Sequence, residues 1–496
     1  MADNHFDLVI VGAGLSGIGT AHQFRKEFPR KTYTILEQRD EMGGTWSLFK
    51  YPGIRSDSDM HTLGYRFKPW TAAKAIADGP SILDYVHETA REGDVERHIR
   101  YGKKVTRAEW DSDSATWTVE TTDAATGETE QVTCRYLFCC TGYYDYDNPY
   151  RPEFPGEERF TGPIIHPQLW PEDLDYAGKR IVVIGSGATA VTLVPAMTDR
   201  AEHVTMLQRS PTWIVARPSE DALANKLRKH LPAMLAYGIV RWKNVLLVLL
   251  SFQISRRRPE WMRWLLRQGL VKNQKLSPAE VDKNFTPTYN PWEQRLCLVP
   301  DSDLFEALRA GKASVVTDHI ETFTEKGILL KSGEELEADI IVTATGLNLI
   351  PFGGVELVVD GEKVNIPDQM TYKGIMLSDV PNLVLFFGYT NASWTLKVDL
   401  TYAYTWRLIK HLERAGLRQF TPRRDPSVQE APFLDFNSGY VLRAMDKYPK
   451  QGETQPWRLS MNYAIDAFQL RFTKLDDGAM EFSNPDRSRE RAATSA

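Results

Sequence analysis

Residues 7–17 read DLVIVGAGLSG, and residues 180–190 read RIVVIGSGATA. Each is an apolar, β-rich run that breaks into a glycine turn and continues into a helix-compatible stretch. In such a unit the first glycine (Gly12, Gly185) allows the tight turn. The second (Gly14, Gly187) lets backbone approach a pyrophosphate, and the third position (Gly17, Ala190) lets the helix pack on the strand. The residue closing the next apolar segment differs in sign between the two units. YTILE ends in Glu37, 20 positions beyond Gly17, and HVTMLQR ends in Arg209, 19 beyond Ala190. A carboxylate there accepts hydrogen bonds from a ribose diol, and a guanidinium pairs with a 2′-phosphate. The sequence therefore predicts an α/β fold with two Rossmann-like dinucleotide-binding domains, the first for FAD and the second for NADPH. Ser186 and Thr189 in the second turn, with Ser210 after Arg209, are the natural further NADPH contacts.

Bulk composition sets the frame. A chain of 496 residues, 42% hydrophobic and 25% charged, is that of a soluble globular protein of several domains. A net charge of −5 offers no global basic field for nucleic acid. Four cysteines without a CxxC pattern point to a reducing cytosol and to neither a metal site nor a redox dithiol. The N-terminus lacks a charged region followed by an apolar one, so no secretory signal is expected and the location is read as cytoplasmic. Residues 232–270 are apolar, basic and rich in tryptophan. Arg241 and Lys243 interrupt the run, which falls short of the ~20 apolar residues of a membrane span. It reads as a helical insertion packing on its own domain, with a peripheral membrane contact as the alternative.

Along the chain, residues 1–145 form the first part of the FAD domain. An antiparallel excursion is expected over 102–137, with segments Ala115–Thr121 and Thr129–Cys134 around a polar turn. A separate apolar strand, YLFCC, ends in Thr141-Gly142, and a similar one, DIIVTATG, ends in Thr345-Gly346. The NADPH domain takes residues 150–217 and 295–355, interrupted by the helical insertion 218–294. Residues 356–496 return to the FAD domain, including VPNLVLFFGYTNASW (380–394).

Between the two glycine turns lies FTGPIIHPQLWP, residues 160–171. It fits the pattern F-x-G-x-x-x-H-x-x-x-W-P/D through Phe160, Gly162, His166 and Trp170. With GGTWSLFKYPGIRSDSDM (43–60) and NPWEQRLCLVP (290–300), the chain resembles the type I Baeyer–Villiger flavin monooxygenases, and within them the ethionamide-activating subgroup. Trp170 stands where flavin-containing monooxygenases carry Phe or Tyr. As a physical object the fingerprint is a linker, with Gly162 and Pro163 shaping a turn and His166 and Trp170 anchoring a junction. His166 reads equally as a structural histidine and as a participant in chemistry.

The resemblance implies NADPH- and O₂-dependent insertion of oxygen beside a ketone carbonyl, giving an ester or lactone through a C4a-peroxyflavin, with S-oxidation of sulfides or thioamides as a second activity. The organic chemistry belongs to the cofactor, and the protein supplies orientation and electrostatics. By position, the family's active-site arginine falls on Arg295 and its carboxylate partner on Asp57, with Asp59 two residues away as a competing assignment. Gly44, Thr45 and Trp46, after Gly43, form a second glycine turn beside FAD. Many members carry Lys just before the catalytic arginine, where it assists 2′-phosphate binding, but here Gln294 stands there. Trp394, Tyr440 and Trp457 are candidates for the substrate pocket or for core packing. Two other readings remain at this stage. One is a flavin-containing N- or S-monooxygenase without Baeyer–Villiger activity, and the other a non-catalytic flavin redox sensor. A disulfide reductase lacks the paired cysteines it would need.

Overall fold

The computed structural model describes residues 4–294, 296–434 and 438–485. Its first sheet is built around the strand His5–Val11. Tyr33–Leu36 pairs with it in parallel on one side and Thr129–Cys139 on the other. Ile99–Arg100 adds beyond Tyr33–Leu36, and Leu383–Leu385 beyond Thr129–Cys139. Leu8, Val9 and Ile10 are all fully buried. A strand covered on both faces has this continuous apolar character, and parallel sheets require such cover. Helix Leu15–Glu27 starts directly from the glycine turn. Helix Trp394–Ala415 packs on it from the far end of the chain.

The antiparallel excursion is present, with one difference from the sequence reading. Thr129–Cys134 and YLFCC are not two strands but one, Thr129–Cys139. Its first half pairs antiparallel with Thr116–Asp123, which pairs in turn with Lys103–Asp111. Its second half takes Leu383–Leu385 as neighbour on that side. The change from alternating to continuous apolar character marks where the strand passes from a half-covered to a fully covered sheet. It does not mark a break.

The second sheet is wholly parallel, in the order Ala313–Thr317, His203–Gln208, Arg180–Ile184, Ile340–Thr343, Ile164–Ile165. Helix Ala188–Met197 follows its glycine turn. Both sheets thus end their strands, at the carboxyl edge, in turns that start helices. This is where open α/β sheets bind ligands.

Four helices, Ala222–Arg228, Ala233–Arg257, Pro259–Asn273 and Pro278–Asn284, stand between Ile214–Arg217 and Cys297–Pro300. Those two short strands pair in parallel and close the base of the insertion. The expectation that 232–270 falls short of a membrane span needs correction by length and composition. Ala233–Arg257 is one 25-residue helix apolar enough to cross a bilayer, and only 28% of its most apolar stretch is buried. The two charges that interrupt the run are turned inward. Arg241 is buried and bonded to Asp399 at 2.6 Å and to the carbonyl oxygens of His61 and Gly64. Lys243 pairs with Asp221. Trp457 belongs to the core, fully buried with its ring edge-on to Tyr372.

A β-carbon placed on Gly17 would lie 1.9 Å from the carbonyl oxygen of Gly12. Gly17→Ala is therefore expected to push the helix off the strand and cost about 1–3 kcal/mol. Thermal unfolding would show this as a lowered Tm with reduced flavin content, and an unchanged Tm would contradict the packing account.

Candidate active site

One continuous cavity of about 1050 Å³ runs along the carboxyl edges of both sheets. Gly12 and Gly14 line it from the first turn, and Gly185, Ser186 and Gly187 from the second. At the first turn, backbone meets backbone. Gly43 N–H donates to the Ala13 carbonyl, and a β-carbon on Gly44 would reach 3.0 Å from Gly14 Cα. Gly12 itself sits at φ +100°, where an L side chain is strained. Neither turn-initiated helix carries an acidic residue in its first turn, so both N-termini present only positive dipole to the cavity. A β-carbon on Gly187 would meet no protein atom within 4 Å, which leaves room at that N-terminus for a phosphate.

Glu37 is buried at the end of its strand. Its carboxylate accepts from Ala13 N–H at 2.7 Å and from Arg39 N–H at 3.0 Å. Burial raises its pKa above the ordinary carboxyl value, while those two N–H groups hold it down. The group is thereby fixed in orientation with lone pairs left for a diol. Thr45 and Trp46 open the short helix Thr45–Leu48 on the same wall.

The second turn is braced by Ser186, whose hydroxyl bonds the Ser210 carbonyl at 3.0 Å and the Thr212 hydroxyl at 3.1 Å. The Thr189 hydroxyl lies against the Tyr51 side chain. That contact ties the loop 51–57 to the second sheet's helix. Gly53 presses on the same helix, where a β-carbon would come 2.5 Å from Ala196 Cβ. Arg209 and Ser210 are exposed on the cavity wall. Arg209 makes no ion pair or hydrogen bond among the described residues, so its guanidinium is available to an anion.

Asp57 lines the cavity. Asp59 does not. It caps helix Met60–Leu63 by accepting from Thr62 N–H at 3.1 Å, and it also accepts from Asn244 Nδ2 at 2.8 Å. Of the two carboxylates, only that of Asp57 belongs to a residue lining the cavity. Arg295 lies outside the described residues. Its neighbours Gln294, Cys297 and Leu298 line the cavity.

The fingerprint residues stand behind the cavity wall. Ile164–Ile165 is the edge strand of the second sheet. His166 Nδ1 accepts from Gln168 N–H at 3.2 Å, so Nε2 carries the proton toward the Gly346 carbonyl at 3.3 Å. Burial lowers the pKa of this imidazole below its ordinary value and so favours the neutral ring. Gln168 Nε2 reaches on to the carbonyl oxygens of Asp145 and Tyr146. Gly162 passes close to the Asp339 carbonyl, Phe160 is buried under the second sheet, and Trp170 packs on its core. The linker therefore holds the two sheets' turns in register with one another.

Three cavity residues had no signal in the sequence. Lys331 and His319 line the cavity beside Arg209. The register Thr317↔Gln208, with Asp318 N–H donating to the Gln208 carbonyl at 3.0 Å, sets His319 next to the Arg209 end of the sheet, and Lys331 N–H bonds the His319 carbonyl at 2.9 Å. Arg443 lines another part, its guanidinium carbon 3.4 Å from the centre of the Tyr150 ring. None stands in a motif, since each arrives from a different segment. Trp394 and Tyr440 also line the cavity. The Trp394 indole stacks on Tyr143 at 5.2 Å and donates to Ser16 at 2.8 Å.

A model of the flavin-binding monooxygenase-like family matches residues 75–376, and one of an NAD(P)-binding Rossmann-like domain matches residues 10–77. The chain belongs to the flavin-binding monooxygenase-like family. Among its members, the FAD-containing monooxygenase EthA of Mycolicibacterium smegmatis is 53% identical over 494 residues, covering 99% of each chain. EthA of Mycobacterium tuberculosis is 53% identical over 481 residues, covering 97% of this chain and 98% of that one. The solved structure of an oxidized steroid monooxygenase bound to NADP has the same fold, with a TM-score of 0.77 at 22% identity over 97% of this chain and 100% of that one. The flavin-binding monooxygenase fold thus carries two dinucleotide-type turns that face one cavity.

Arg209, without an acidic partner among the described residues and near Lys331, can receive a 2′-phosphate even with Gln294 in place of lysine. Arg209→Ala is expected to raise KM for NADPH by about 10- to 100-fold, the worth of one charge-assisted contact, and to leave KM for NADH nearly unchanged. Equal effects on both coenzymes would contradict the assignment.

Proposed function

We propose that this protein is an FAD-dependent, NADPH- and O₂-consuming monooxygenase that inserts oxygen beside a ketone carbonyl, with S-oxidation of sulfides or thioamides as a second activity. FAD lies in the domain assigned to residues 1–145 and 356–496, on the first sheet. NADPH lies on the second, built from 150–217 and 295–355, and 218–294 is the insertion. What supports this is the cavity shared by both glycine turns, with Asp57, Gln294, Cys297 and Leu298 on its wall. A bound flavin, once reduced, supplies the activation of O₂. One oxygen atom enters between the carbonyl carbon and its neighbour, the other leaves as water, and NADPH provides the two electrons.

The chain's own residues do the rest. Glu37 holds a ribose diol, and the N-terminus of helix Leu15–Glu27 faces the FAD pyrophosphate. The N-terminus of helix Ala188–Met197, with Ser186 and Thr189, faces that of NADPH, and Arg209 takes its 2′-phosphate. Arg295 places a fixed positive charge where negative charge develops on the oxygen of the attacked carbonyl, and Asp57 orients that guanidinium. A nearby fixed cation is what separates this chemistry from N- or S-oxidation, which proceeds without one.

Arg295→Ala is accordingly expected to keep FAD and to accept hydride from NADPH, while ester formation from a ketone falls by at least 10²-fold, as for loss of one preorganised charge donor. Stopped-flow flavin reduction and product analysis by gas chromatography separate the two steps. Wild-type ester yield in that variant would overturn the role given to Arg295.

A further inference from the structure

The helical insertion presents an apolar face that no described residue covers. On helix Ala233–Arg257, Leu235, Ile239, Trp242, Leu246 and Leu250 recur at helical spacing and stay exposed, Leu246 at 59%. Helix Pro259–Asn273 adds Trp261, Trp264 and Leu265. The C-terminal helix Tyr463–Phe472 continues the patch. Its Tyr463 ring meets Trp242 at 5.8 Å, and its Phe468 and Phe472 are 64% and 73% exposed. Monomeric soluble proteins seldom leave so many large apolar side chains together in water.

Charge says what covers the patch. Residues 222–275 hold twelve lysines and arginines against a single glutamate, in a chain of net charge −5. Two of the twelve are turned inward, Arg241 to Asp399 and Lys243 to Asp221. Lys226, Lys229, Arg257, Arg258, Lys272 and Lys275 are exposed and have no acidic partner among the described residues. Exposed leucines and tryptophans edged by unpaired basic residues match the boundary of an anionic bilayer, where indole rings sit at headgroup depth and cations meet lipid phosphates. A second copy of this chain would bring the same positive charge to the same face and repel it. The inward anchoring of Arg241 also fixes the mode. The helix keeps its inner face bonded to the protein and so lies along the membrane without crossing it.

We propose that the protein docks on anionic lipid through the outer face of helices Ala233–Arg257 and Pro259–Asn273 together with the edge of Tyr463–Phe472. This surface is independent of the reaction assigned to the cavity. The test is flotation of the FAD-loaded enzyme with phosphatidylcholine vesicles containing about one-third phosphatidylglycerol, and with pure phosphatidylcholine vesicles, alongside sedimentation to give the oligomeric state. The enzyme should float with the anionic vesicles and at least ten-fold less with the neutral ones. Arg257→Ala with Arg258→Ala should lower partitioning by about 30-fold, the product of two basic contacts. Leu246→Ser with Leu250→Ser should weaken it at least ten-fold. Unchanged flavin absorbance and NADPH consumption without vesicles show that both variants are folded. Absence of flotation, equal flotation with both lipids, or flotation unaffected by either variant overturns the proposal. So does a solution dimer that the leucine variant converts to monomer, because a second copy would then cover the face.

Discussion

Backbone reaching backbone at the ends of two parallel sheets is the constraint on which the rest of this molecule depends. At the first turn Gly14 and Gly44 come within contact of each other, and Gly17 lies against the Gly12 carbonyl. A side chain at any of these places would fill the space a pyrophosphate needs or push the helix N-terminus away. The second turn meets the same requirement at Gly185 and opens onto the cavity at Gly187. Helix dipoles, the orientation of Glu37 and the availability of Arg209 all matter only because these turns bring a ligand within hydrogen-bonding distance.

Two such turns would serve separate ligands if their sheets were free to move apart. Here the loop 51–57 grips helix Ala188–Met197 through Tyr51 and Gly53, and Arg55 pairs with Asp303. On the opposite side Gln168, just beyond the second sheet's edge strand, holds the carbonyl oxygens of Asp145 and Tyr146, which follow the first sheet's strand Thr129–Cys139. These contacts make one cavity out of two binding edges. They also put Asp57, which sits on the gripping loop, on the wall between them. His166 braces the linker from within the second sheet, accepting from Gln168 N–H and reaching the Gly346 carbonyl.

The glycine turns, their opposite terminal charges and the alternation of strands and helices were legible in the sequence because each rests on local rules. The spacing of apolar residues and the chemistry of one turn suffice to read them. What stayed hidden depends on partners distant in the chain. Thr129–Cys139 looked like two strands because its neighbour changes from Thr116–Asp123 to Leu383–Leu385 part-way along. Arg241 and Lys243 looked like interruptions of an apolar run, yet Asp399 and Asp221 turn both inward. Lys331 and His319 reach the Arg209 end of the sheet only through the pairing of Ala313–Thr317 with His203–Gln208. Asp57 and Asp59 are alike in type, and their different surroundings, a cavity wall for Asp57 and a helix cap for Asp59, depend on the fold.

The proposed reaction couples NADPH oxidation to oxygen transfer onto a carbonyl within the shared cavity. The most direct measurement supplies the FAD-loaded enzyme with NADPH, a panel of linear and aryl ketones and ¹⁸O₂, and follows coenzyme and product together. Esters that carry one labelled oxygen atom, formed in step with NADPH consumed, are the expected products. NADPH oxidation that yields only hydrogen peroxide, or oxygenated amines and sulfides with no ester from any ketone, would contradict the proposed reaction.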